Sequence, residues 1–204
     1  MQKIKNILFD LGGVFIDIEF AKTEKAFADL GLSNFQQFFS QHTASPLFEE
    51  LETGKISPSD FYQLFRQQTH TNLSDEQIEN AWNALLGTFP PERLQWLNEI
   101  KLRYKIYLYS NTNLIHYNAF QLIYQQCTGL KSFDDIFIKA HYSHELGLRK
   151  PYPQSFTKLL EIENLLPEET LFIDDTIGNI EGAKLAGLQT LLLQPPTTVL
   201  DLGL

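Results

Sequence analysis

Ile7-Leu8-Phe9-Asp10-Leu11-Gly12-Gly13 decides how this chain is read, because an apolar run stops on a carboxylate and then on two glycines. The pattern returns far downstream. Leu171-Phe172-Ile173 runs into Asp174-Asp175, and Ile106-Tyr107-Leu108-Tyr109 stops at Ser110-Asn111. Short apolar runs bounded by turn signals read as buried strands of a parallel sheet. Open parallel sheets bind ligands beyond the carboxyl ends of their strands. If these runs are neighbours, one rim carries Asp10, Ser110, Asp174 and Asp175. Crowded carboxylates repel one another, so such a rim suggests a cation.

Outward from the first run, strand character is expected over residues 4–10 and then gives way, from about Phe20 to Phe89, to helical spacing. Phe27, Leu30, Phe35, Phe38 and Phe39 fit apolar helix faces. Ser57-Pro58-Ser59-Asp60 opens a further helix, and Ser74-Asp75-Glu76-Gln77 is a capping-box pattern before Ile78 and Trp82. The aromatic stripes read as core packing. After Phe89-Pro90-Pro91, helices near 91–103, 113–126, 153–163 and 178–186 alternate with strands near 105–109, 135–138, 170–174 and 189–193. Such alternation implies right-handed βαβ units. The expected architecture is α/β: a doubly wound, mostly parallel, Rossmann-like sheet of about five strands with an all-helical insert after the first. Residues 1–18 and 90–204 would form the α/β core domain, and 19–89 the helical cap.

The 204 residues are 43% hydrophobic and 20% charged, which suits a folded globular chain. A formal net charge of −9 argues against nucleic-acid or anionic-membrane partners. The single cysteine, Cys127, cannot form an internal disulfide and reads as an ordinary helix or core residue. The first apolar stretch is short and carries Asp10 and Asp17, unlike a signal peptide, and no run is long enough to span a membrane. A cytoplasmic location is expected. Oligomeric state leaves no trace in the sequence.

Four segments in order, Phe9-Asp10-Leu11-Gly12-Gly13-Val14, Tyr109-Ser110-Asn111-Thr112-Asn113, Gly147-Leu148-Arg149-Lys150-Pro151 and Phe172-Ile173-Asp174-Asp175, resemble the motifs of the haloacid dehalogenase-like hydrolase superfamily. The gap after the first matches the branch with a helical cap inserted there. The Asp-Leu-Gly start and the Ser-Asn-Thr-Asn run are most similar to bacterial sugar-phosphate phosphatases of the glucose-1-phosphate phosphatase kind.

The resemblance implies a phosphatase acting on a small phosphorylated metabolite. Asp10 would be the nucleophile, forming and then losing an aspartyl phosphate. Mg²⁺ would be held by Asp10, the Gly12 carbonyl and Asp175, with Asp174 binding a metal water or positioning Lys150. Ser110 and the Asn111 backbone amide would bind the phosphoryl group. Lys150 would balance its charge. Asn113 is expected to cap the next helix, and Arg149 to lie at the surface or pair with an acid.

One departure stands out. The family usually places a second aspartate, a general acid/base, two residues after the nucleophile, and here that position is Gly12. Asp17 and Glu19 are candidate replacements, more simply read as hinge or helix-start residues. The alternatives are a phosphomutase or dehalogenase on the same scaffold, or a catalytically weakened phospho-metabolite-binding protein. His141-Tyr142-Ser143-His144-Glu145 superficially suggests zinc, but the spacing is wrong for a helical site. A loop with surface histidines is expected there. His116, on the helix after Ser110, is expected to pack or face solvent.

Overall fold

The computed structural model describes residues 3–39 and 45–204. Five parallel strands, β1 (Asn6–Phe9), β2 (Lys105–Ser110), β3 (Lys139–Tyr142), β4 (Thr170–Asp174) and β5 (Gln189–Leu192), form one sheet in the order β3-β2-β1-β4-β5. Every residue of β1 is buried, as a central parallel strand requires. Successive side chains alternate faces. Ile7, Phe9, Leu171 and Ile173 pack on one side with Leu97, Ile100 and Phe120. Leu8, Tyr107, Tyr109 and Phe172 pack on the other with Phe156, Leu159 and Ile180.

Helices cover both faces. Between β1 and β2 lie α1 (Phe20–Asp29), α2 (Pro46–Glu52), α3 (Pro58–Thr69), α4 (Asp75–Asn83) and α5 (Pro91–Ile100). The crossovers and the short turn after β3 add α6 (Leu114–Thr128), α7 (Ser143–Leu146), α8 (Pro153–Glu163) and α9 (Ile177–Leu185). The chain runs outward from β1 to β2 and β3, then returns to β4 on the far side of β1. That reversal opens a crevice at the carboxyl ends of β1 and β4.

Helices α1–α4 have an apolar cluster of their own, centred on Phe27, Phe48, Phe61, Phe65 and Trp82. The expected capping boxes are present, Ser57 with Asp60 and Ser74 with Gln77. The two connections to the sheet lie side by side. Ile18 bridges Leu86 in antiparallel fashion, and Asp17 N donates to Thr88 O at 3.1 Å while Gly87 N donates to Asp17 O at 2.8 Å. A Cβ at Gly87 would sit 2.8 Å from that same Asp17 oxygen, so the junction requires glycine.

Two local expectations fail. The strand foreseen at 135–138 lies four residues later, at Lys139–Tyr142, and Phe133–Ile136 is a 3₁₀ turn. Buried Phe133 opens that turn and buried Phe137 follows it, and their apolarity belongs to packing beneath the sheet rather than to a strand. Phe35–Gln37 is likewise a single 3₁₀ turn, not an α-helix, although Phe35 stacks on Phe27 at 4.3 Å as core packing demands. Cys127 lies on α6 with its side chain exposed. No helix among the described residues is long and apolar enough to cross a membrane.

Candidate active site

The crevice gathers the rim residues read from the sequence. Asp10 follows β1 and extends its ladder through a 2.9 Å bond from its N–H to Ile173 O. Asp174 ends β4, Ser110 ends β2, and Lys150 arrives from the loop between α7 and α8. Lys150 is 1% exposed, and its Nζ donates to Asp10 Oδ1 at 2.6 Å and to Asp174 Oδ2 at 2.7 Å. It also lies over the Tyr109 and Phe172 rings, 5.5 and 5.3 Å from their centroids, an environment that favours its charged form. Asn111 fixes the lysine's backbone from both sides. Its Oδ1 accepts from Lys150 N and its Nδ2 donates to Lys150 O, each at 2.9 Å.

Carboxylate oxygens of Asp10, Asp174 and Asp175 lie within 4.8 Å of one another. Three acids share one ammonium there, which leaves negative charge in excess. Burial above all, with Asp174 and Asp175 adding, raises Asp10 from 3.8 to about 7, while Lys150 opposes the shift. Asp175 is raised by burial and by Asp174. Burial by itself would lower Lys150, but Asp10 and Asp174 overrule it and hold the ammonium above its ordinary range.

The three acids differ in what they already hold. Asp174 is saturated by protein donors, taking Thr176 N at 2.7 Å, Asn179 Nδ2 at 3.0–3.1 Å and Lys150. It positions the lysine and the start of α9. Asp10 and Asp175 each keep one oxygen with no hydrogen bond among the described residues, and so does the Gly12 carbonyl. Three free hard oxygens beside excess negative charge suit a small divalent cation. Gly13 lets them converge. Its φ is +71°, and a Cβ there would collide with the Asp175 carboxylate.

Asp10, Gly12, Lys150 and Asp175 line one cavity of about 400 Å³ together with Leu86 and Phe39 from the helical side. Ser110 lies on its wall, 4% exposed, with only a long 3.4 Å bond to Asn111 O. Asn113 caps α6 as foreseen, accepting from Ile115 N and His116 N. His116 is buried, stacked on Trp82 at 4.4 Å, with Nε2 3.1 Å from Trp82 O. That carbonyl requires a proton on Nε2, so Nδ1 accepts from Asn113 Nδ2 at 3.2 Å. Burial lowers His116 to about 4, hence the ring is neutral.

Asp17 and Glu19 are outside this cavity. Asp17 pairs with Arg93 at 3.0 Å and Glu19 with Lys22, so neither stands where Gly12 lacks an acid. Ile18 takes up that space, its Cγ1 only 3.1 Å from where a Cβ on Gly12 would be. The expected surface histidines are a further correction. His141 is 7% exposed within β3 and meets Glu163 at 2.9 Å, and His144 is half-buried on α7. They serve the sheet edge.

Arg149 finds an acid that sequence reasoning overlooked, Glu52 at the end of α2, 3.1 Å away. Burial raises Glu52, with Arg149 opposing. The missed signal is helical period: Leu47, Phe48, Leu51 and Glu52 form the buried face of α2, so one glutamate stands in an apolar stripe.

A family model described as haloacid dehalogenase-like hydrolase matches residues 4–187. The chain is 32% identical over 187 residues to D-ribitol-5-phosphate phosphatase of Bacteroides thetaiotaomicron, covering 92% of this chain and 90% of that protein. A sesquiterpene phosphatase of Aspergillus oryzae is 26% identical over 188 residues, 90% of this chain and 87% of that one. The solved structure of a HAD family enzyme of Bacteroides thetaiotaomicron, an aspartate-to-alanine variant in complex with magnesium and inorganic phosphate, is similar with a TM-score of 0.89. It is 32% identical and covers 95% of each chain.

Proposed function

This chain belongs to the haloacid dehalogenase-like hydrolases and is a phosphoric monoester hydrolase, and on that premise we propose that it cleaves a small sugar or polyol phosphate through an aspartyl-phosphate on Asp10, with Mg²⁺ as cofactor. The observation that carries the proposal is the convergence of Asp10, Asp175 and Lys150 on one cavity at the switch point of the sheet. Asp10, Asp175 and the Gly12 carbonyl would hold the cation, which supplies charge neutralisation at the phosphoryl oxygens.

Asp10 attacks phosphorus with its carboxylate oxygen, forming a C–O–P anhydride as the bond from phosphorus to the leaving alkoxide breaks. Lys150 and Ser110, with the Asn111 N–H, hold the phosphoryl oxygens. Asp174 keeps Lys150 aimed and charged. Water then attacks phosphorus, releasing inorganic phosphate and restoring Asp10. With glycine at position 12 and Ile18 against it, the alkoxide takes its proton from water or from the substrate's own hydroxyls. Residues 19–89 act as a cap that closes the cavity and excludes bulk water.

Gly12 also supports a second reading, a protein that binds a phosphorylated metabolite without turning it over. A panel of D-ribitol 5-phosphate, glucose 1-phosphate and p-nitrophenyl phosphate with Mg²⁺ separates the two. Wild type should release phosphate, and Asp10→Asn should lower kcat by about 10⁴-fold or more, the scale of losing a nucleophile. Acid quenching during turnover should trap phosphate on the wild-type protein alone. Tight binding with no release would establish the second reading.

A further inference from the structure

Apart from the free oxygens beside Asp10 and the weakly held Ser110 hydroxyl, unspent hydrogen-bonding capacity on the cavity wall lies at Glu52 and Arg149. Asn111 exchanges two bonds with the Lys150 backbone, Asn179 donates to Asp174, and both nitrogens of His116 are occupied. Glu52 and Arg149 differ. Glu52 Oε2 and Arg149 Nη2 are 3.1 Å apart as an ion pair, yet Glu52 Oε2 and Arg149 Nε are both buried without a hydrogen-bond partner. Glu52 is 6% exposed. Buried polar groups are otherwise satisfied in folded proteins, and an unpaired one calls for a missing partner. A buried ion pair lacking such bonds does not recover its desolvation cost, so it is poor as a stabilising device.

The two residues line the same cavity as Asp10 and Ser110. They come from opposite sides of it. Glu52 ends α2 in the helical layer, and Arg149 directly precedes Lys150. Two residues beyond Glu52, Gly54 packs so tightly on the His144 carbonyl that a Cβ there would collide with it. The pair is therefore assembled only while α2 is seated against the sheet side.

We propose that Glu52 and Arg149 form a hydroxyl-reading subsite, which selects a polyhydroxylated leaving group over an alkyl one. A vicinal diol supplies what each residue lacks, an O–H to donate to the carboxylate and an oxygen to accept from the guanidinium. Ile18 and Phe39 on the wall then cover the carbon chain. Because the subsite spans both sides, the right alcohol also holds the helical layer down. This inference rests on the phosphatase reading above and specifies its substrate class.

The test compares kcat/KM for D-ribitol 5-phosphate, n-pentyl phosphate and p-nitrophenyl phosphate in wild type, Glu52→Gln, Arg149→Met and Arg149→Lys. Wild type should prefer the polyol to the pentyl ester by about 100-fold or more, since sites built for hydroxyls reject analogues without them. Each variant should lose about 10- to 100-fold on the polyol, chiefly in KM, and change less than about threefold on the other two. Arg149→Lys retains the charge and loses the planar fork, and it provides the ratio if Arg149→Met does not fold. Equal losses on all three substrates, or a wild type indifferent to hydroxyls, overturn the subsite and leave hydrolysis standing. A wild type that turns over none of the three overturns both.

Discussion

The crevice at the sheet rim and the helical layer beside it bury opposite kinds of chemistry. At the rim Lys150, Asp10 and Asp174 are 1%, 8% and 0% exposed, each held by one to three specific partners. In the helical layer, Glu52 apart, the core is dominated by rings: Phe48 lies within 5.0–6.3 Å of Phe35, Phe39, Phe61, Phe65 and Trp82. Buried charge depends on particular partners, so the rim is intolerant at every position. Dispersion and ring contacts are shared among many neighbours, so the layer depends on volume more than on identity. On the proposed function, the rim would fix which reaction is possible, and the layer would be free to change what reacts.

The sharpest attempt to break this contrast is Trp82→Ala. Trp82 is fully buried, meets four phenylalanines and stacks on His116, so it ties the layer to α6. Its removal should cost about 3–5 kcal/mol in urea unfolding. A loss below about 1 kcal/mol would mean that the layer is not held by its aromatic cluster. Gly13→Ala probes the rim. The left-handed backbone and the collision with Asp175 should lower Mg²⁺ affinity by about 10- to 100-fold in calorimetry, as disturbed ligand support does. Unchanged affinity would remove Asp175 from the cation site.

The smallest effect is the coupling of proton and metal at the rim. Asp10 rises from 3.8 in the unfolded chain to about 7 in the metal-free fold, where burial favours its proton. The stability this gives is complete below about pH 4 and is lost as pH climbs through 7. With Asp10 as the proposed Mg²⁺ ligand, the ion would compete with that proton. Saturating Mg²⁺ at about 100 times its Kd should therefore raise Tm by about 5–10 °C at pH 8, and by clearly less at pH 5. An equal rise at both values would show that Asp10 does not share the ion.

The rim was legible because its residues announce themselves: strand, carboxylate, glycine. Asp10, Ser110 and Asp174 could be placed on one edge before any geometry, since strand ends in a parallel sheet point one way. What stayed hidden depends on partners distant in sequence. Lys139-Ala140-His141-Tyr142 has no apolar run, and it is a strand by pairing in parallel with β2, with His141 and Tyr142 satisfied by Glu163 and, at 2.6 Å, by Asp134. Glu52 is one of three glutamates in α2, and only its place on the buried face separates it from Glu49 and Glu50. That Ile18 would fill the space beside Gly12 could not be read from neighbouring letters either.

At the joint near Asp17 and Gly87, where the helical segment departs and rejoins, its two ends lie in hydrogen-bond contact. A loop whose ends touch is a cassette. Helices of another length or composition can be spliced between those ends without displacing a strand, so substrate choice can diverge over evolutionary time while the reaction chemistry is inherited intact. Ile18 and Leu86 at the splice also line the cavity, so even the seam has a share in what such an exchange would select.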